Sequence, residues 1–307
     1  MFYEERDGSL RLHIESMRPD DQTIEIDADN YGDPTTLGRV VVGSYVLGRS
    51  VIRINTASRL RREQIENIRE VTQRLLGIGI VEETEKHLLL QSSINPADFP
   101  IPTMMKRLYM VVSTMFKEVR DGLRDGDLEL LRDAISRKHE ADTTYWLIAR
   151  LLSLGQRSWV SAREMDIGDP VEIIHCSLIS RFLDLIAEHT EAIAQRYITL
   201  EKDFRGLPGN SAEILDQMNS LAFTVIDKAM SSVFTGDVKI ASDAMNVVSV
   251  VELKENEFLE ALQERVDSAA IPVLRSIVSD VKIIVEYASS IAEMAINKSL
   301  EYNQIKP

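Results

Sequence analysis

The stretch LDLIAEHTEAIAQ, residues 183–195, sets Asp184 and Glu188 four apart, with His189 beside the second acid. On a helix, side chains at i and i+4 share one face. Two carboxylates there, with an imidazole next to them, are donors for a cation held between packed helices. Asp142, on the preceding helical stretch, is the third carboxylate placed to face them. Asp142, Asp184, Glu188 and His189 are therefore the candidate metal ligands. Iron, zinc or another divalent ion suits such a donor set. The competing reading is a solvated acidic face, which is ordinary in a chain of net charge −14.

The pattern occurs a second time. A slide of 98 positions puts Leu183 on Val281, Ile186 on Ile284, Glu188 on Glu286 and Ile193 on Ile291. Upstream the slide is 110, with Gly126 on Gly236, Asp127 on Asp237, Asp133 on Asp243 and Asp142 on Glu252. Lys282 replaces Asp184, and Tyr287 replaces His189. A lysine repels a metal and is placed to pair with Glu286. Any metal is thus expected in the first copy and not in the second.

Other chemistry is missing from the sequence. It contains no Walker loop, GxGxxG, HExxH or CxxC, and its five histidines are scattered. No nucleophile–base constellation is recognisable, so the expectation is a protein that is not an enzyme. Cys176 is the single cysteine, which excludes an internal disulfide. In the run IIHCSLI it reads as a small core residue, with His175 in the core and His139 on the surface. Arg59, Arg61 and Arg62 share a stretch with Glu63, Glu66 and Glu70, and Glu66–Arg69 and Glu70–Arg74 have helical pair spacing. A solvated helix explains them better than a recognition helix. The acidic balance also works against phosphate backbones. The start MFYEERDGS lacks a signal pattern, and no apolar run reaches membrane-spanning length, so a cytoplasmic location is expected.

The elements that position these residues follow from periodicity. Asp7-Gly8 marks a hairpin turn, and QTIEID alternates as a strand. Asp33-Pro34 opens a helix carrying Leu37, Val40, Val41, Tyr45 and Leu47, and VIRIN is a second strand. Ser58 is expected to open a second helix, stopped at Gly77, before a final strand pair. Residues 20–93 thus read β-α-β-α-β-β. After the proline-rich SINPADFPIP, helices are expected near 102–124, 127–153, 170–200, 211–234, 237–266 and 270–301. The change of slide leaves 12 extra residues in the first copy, near LGQRSWVSAREMDIGDP. A period near a hundred residues points to a duplicated domain rather than a solenoid.

The duplicated pattern, GDLELLRDAISRKHEAD with LDLIAEHTEAIAQ and GDVKIASDAMNVVSVVE with VKIIVEYASSIAE, resembles the PhoU family of phosphate-uptake regulators. The run GIGIVEETEKHLLLQSSINPADFPI resembles the archaeal branch, in which the PhoU part follows an AbrB-like domain. The resemblance implies a mainly α fold: two tandem three-helix bundles, preceded by a small α/β module. The expected divisions are a remnant of an AbrB-like hairpin (1–19), the α/β module (20–95), the first bundle (96–205) and the second (206–307). It also implies a non-catalytic adaptor in phosphate-responsive signalling. The partners would be a phosphate transporter ATPase or a phosphate-sensing kinase, and a homodimer would form through residues 1–95. The family carries an acid-xxx-acid motif on the second helix of each repeat, associated with multinuclear metal binding. Here its first acid is replaced by Lys138 and Val248. The alternatives from other classes are an AbrB-type DNA-binding regulator and a carboxylate-type metal bundle.

Overall fold

The computed structural model describes residues 2–4, 10–12, 22–201, 210–263 and 270–304. The chain divides into two units, Met1–Asn95 and Pro96–Pro307. In the first, β1 (Phe2–Glu4) and β2 (Leu10–Leu12) pair antiparallel, Phe2 opposite Leu12. The Asp7-Gly8 turn lies outside the described residues. Next come β3 (Thr23–Asp27), α1 (Pro34–Val46), β4 (Val51–Asn55), α2 (Arg62–Gln73), β5 (Ile78–Glu83) and β6 (His87–Ser92). The sheet order is β3-β4-β6-β5, with β3 and β4 parallel and the other pairs antiparallel. A parallel pair needs a crossover, which α1 supplies. Strand alternation sends Ile26, Ile52, Ile54, Leu88 and Leu90 under Leu37, Val41 and Ile68. Their neighbours Glu25 and Arg53 are exposed and pair at 3.5 Å.

Two details of this module differ from the sequence expectation. Leu47 falls outside the buried stripe of α1 and is exposed. Ser58 does not open α2, which starts at Arg62. The Leu60 N–H donates to the Glu85 carbonyl at 2.8 Å, so this stretch is drawn onto the β5–β6 turn. The Gln64 side chain then accepts the Arg61 N–H at 3.0 Å and starts the helix.

The second unit is helical. α3 (Ile101–Asp125), α4 (Leu128–Arg157) and α6 (Pro170–Glu201) pack together as one bundle. Between α4 and α6, the extra residues form a short helix, α5 (Trp159–Glu164). α7 (Ser211–Thr235), α8 (Val238–Met245), α9 (Val248–Gln263) and α10 (Ile271–Gln304) make the second bundle. The helix expected over 237–266 is broken at Asn246-Val247. Asparagine followed by two β-branched valines is a weak helical run, and tertiary packing sets the kink there. The bundles join through α6 against α10 and α3 against α7.

The duplication reaches further than its motifs. Met104, Met105, Leu108, Val112, Met115, Phe116 and Val119 on α3 are buried. So are Ile214, Leu215, Met218, Ala222, Val225, Ile226 and Ala229, their counterparts at the same slide on α7. Both helices end on a left-handed glycine, Gly126 at φ 67° and Gly236 at φ 71°. In both, an aspartate follows. Asp127 accepts the N–H groups of Glu129 and Leu130, and Asp237 those of Lys239 and Ile240. Asp127→Ala and Asp237→Ala should each lower stability by about 1 kcal/mol, read from urea unfolding, because each leaves helix N–H groups without a side-chain acceptor.

Candidate functional site

The acidic cluster sits where α4 meets α6. Asp142 extends from α4, and Asp184 and Glu188 extend from one face of α6. Asp184 is 2% exposed, while Glu188 faces solvent. Two cations of the chain stand among them. Lys138, one turn before Asp142, is buried and contacts the Asp142 carboxylate directly. Its Nζ lies 3.8 Å from Asp184 Oδ1. Arg181 pairs with Asp184 and reaches Glu188 Oε1 at 3.4 Å. Its guanidinium also lies 5.8 Å from the centre of the Tyr145 ring. Burial pushes the Asp184 carboxyl up to about 6, and Lys138 is the foremost of the charges that restrain it.

His189 does not join the other three candidates. Its Nδ1 hydrogen-bonds Asp280 Oδ1 on α10 at 2.9 Å. Arg196, two turns further along α6, pairs with the same carboxylate. Burial holds the imidazole below its ordinary value. Asp280 is 5% exposed, so these pairs tie one bundle to the other in a largely dry setting.

The contacts between α6 and α10 have two-fold character. Exchanging each residue for its repeat counterpart turns the His189–Asp280 pair into Tyr287–Phe182. Those rings stack with centroids 5.9 Å apart. His189 and Tyr287 are each other's counterparts, and their rings also lie 5.9 Å apart.

In the second repeat, Lys282 Nζ is 3.2 Å from Glu255 and 4.0 Å from Glu252. The expected partner Glu286 is not the one it reaches. Neighbouring Glu255 raises the Lys282 ammonium above its ordinary value.

A metal needs carboxylate lone pairs that point at an open position. Here an ammonium and a guanidinium of the chain already stand among Asp142, Asp184 and Glu188, and His189 is turned to another helix. As arranged, the donor set does not fit a metal. Among the described residues, no group of three or more His, Cys, Asp or Glu is disposed to hold one. Cys176 is buried, and burial pushes its thiol up to about 11, which makes it an inert core residue. In the arginine run of the first unit, Arg62 pairs with Glu66 at 2.7 Å and Arg59 with Glu85 at 3.7 Å, while Arg61 donates to the Gly32 carbonyl; further along α2, Arg69 pairs with Glu83 at 2.9 Å.

The cations Lys138 and Arg181 were not among the sequence candidates, although a signal for them existed. Lys138–Asp142 is an i, i+4 pair, and Arg181 precedes Asp184 and Glu188 by three and seven residues. Asp280 also went unnoticed, because its partners lie on another helix.

Residues 105–197, spanning most of the first bundle, match the PhoU domain. A comparison with curated proteins found no match. Among solved structures, the chain is similar to the phosphate transport system regulatory protein PhoU from Streptococcus pneumoniae. The TM-score is 0.51 at 15% identity, covering 67% of this chain and 96% of that one. At that identity the likeness concerns the fold. No helix among the described residues is long and apolar enough to cross a membrane. The first bundle thus carries a PhoU domain over residues 105–197, and the chain shares its two-bundle fold with a PhoU protein.

Proposed function

We propose that this protein regulates phosphate uptake and phosphate-responsive signalling as a non-catalytic adaptor that binds partner proteins through its bundle surfaces. The observation that carries the reading is the pair of helical bundles in residues 96–307, with the PhoU domain matched at 105–197. The streptococcal protein with this fold is, by its name, a regulator of a phosphate transport system. Exposed apolar side chains support an adaptor. Ile174 and Leu178 lie one turn apart on α6, and Val250 and Leu253 stand together on α9. Partner proteins bury side chains of this kind at interface centres.

The partners proposed are the ATPase of a phosphate transporter or a phosphate-sensing kinase. A homodimer through residues 1–95 is part of the same reading. The net charge of −14, and the carboxylate partners of Arg59 and Arg62, weigh against DNA as the main partner.

The test is affinity capture of the tagged full chain from its own cells, grown with and without phosphate. The transporter ATPase or the kinase is expected to be enriched, and disrupting the gene is expected to change phosphate uptake. Capture of neither, together with unchanged uptake, would overturn the proposal. Light scattering at micromolar concentration checks the dimer, and a monomer mass would remove that part.

A further inference from the structure

We propose that cations of the chain itself close the acidic faces of both repeats, so that Lys138 and Arg181 in the first and Lys282 in the second stand where a metal would otherwise sit. The first face carries three carboxylates, Asp142, Asp184 and Glu188. Lys138 and Arg181 already balance two of those charges. A divalent ion would have to displace an ammonium or a guanidinium that is bonded in place. Lysine is almost never buried unless paired, and Lys138 is only 9% exposed. Its pairing with Asp142, and its approach to Asp184, account for that burial. Arg181 reaches both Asp184 and Glu188 through its Nη1 and lies near the Tyr145 ring, so its guanidinium is held between two acids.

The second repeat supplies an independent observation. It neutralises the same face by a different substitution. The counterpart of Lys138 is Val248, and that of Arg181 is Ser279. The cation comes instead from Lys282, at the position of Asp184, and it reaches Glu252 and Glu255. Two repeats that reach charge closure from different positions indicate that closure itself is what the fold requires. The electrostatic role is therefore assigned to three residues, and the carboxylates serve as their partners.

The experiment uses the purified full chain after chelation and dialysis. Bound metal is measured by elemental analysis, and melting is followed with and without iron(II), zinc, nickel or magnesium. The wild type is expected to hold no stoichiometric metal and to melt at one temperature in every sample. The double variant Lys138→Glu with Arg181→Gln is expected to bind about one equivalent of metal, and its melting point to rise by about 5 °C at saturating metal. Lys282→Asp, at a more exposed position that tolerates change better, is expected to gain metal in the second repeat. Wild type that keeps stoichiometric metal, and loses it on Asp142→Asn with Asp184→Asn, would overturn the proposal. So would variants that fold by circular dichroism but bind no metal at either face. Regulation of phosphate uptake plays no part in these readouts, so the two proposals fail separately.

Discussion

Replacing Arg196 by methionine should cost about 3 kcal/mol of stability, measured by urea unfolding of the full chain. The reason is the carboxylate it would leave behind. Asp280 is 5% exposed and is shared by Arg196 and His189, both on α6. Without the guanidinium, a charged carboxylate stays buried between the bundles. Burial keeps the His189 imidazole below its ordinary value, so near neutral pH it offers Asp280 a hydrogen bond but little charge. Breaking a buried pair by removing one partner costs about 3–5 kcal/mol. The lower end applies here, because the His189 hydrogen bond survives and the Arg196 side chain is 40% exposed. Adding Asp280→Leu to Arg196→Met should recover most of the loss, since no unpaired charge then remains. A single-variant loss under about 1 kcal/mol, or a double variant worse than the single, would mean the two side chains are not coupled.

The same pair shows where sequence reading reaches its limit. The α/β module was legible because strand alternation is local: Ile24 and Ile26, Ile52 and Ile54, and Leu88 and Leu90 mark one face each. The bundles were legible because the chain repeats its own helices, so each copy corroborates the other. The start of α2 was misplaced because a hydrogen bond from Leu60 to Glu85, distant in sequence, overrides a local capping signal. His189 was grouped with Glu188 because they are adjacent. Adjacent positions on an α-helix are about 100° apart, however, which is enough to send one side chain to α4 and the next to α10. Arg181 does not stand out in a search for ligands, which counts acids and histidines and passes over the cations between them, and Lys138 stands out only as the residue in place of an acid. The Asp280 pairing depends on the register of α6 against α10. No spacing within either helix encodes that register, although His189 and Arg196, seven residues apart, do share a face.

Asp184→Asn should stabilise the protein at neutral pH and do almost nothing near pH 4. Burial dominates the titration of Asp184 and pushes it from 3.8 to about 6. Lys138 and Arg181 pull it down, while Glu188 and Asp142 push it up. With the folded value above the unfolded one, the sign is the reverse of an ordinary salt-bridged aspartate. Below about pH 4 the carboxyl is protonated in both states and contributes no difference. Between about 4 and 6 the unfolded chain releases the proton first, so folding loses stability as pH rises. Above about 6 the deficit is constant, on the order of 3 kcal/mol for a shift of roughly two units. Asparagine keeps the shape and cannot ionise, which removes the whole slope. Lys138 still has Asp142, and Arg181 still has Glu188, so neither cation is stranded. The measurement is the difference in unfolding free energy between variant and wild type at pH 4, 5, 6 and 7. It should grow from near zero to a few kcal/mol in favour of the variant. A flat difference would show that the two cations fully offset the burial of Asp184. A difference that favoured the wild type more strongly toward neutral pH would show that they exceed it, and that the carboxylate stabilises the first bundle as a charge.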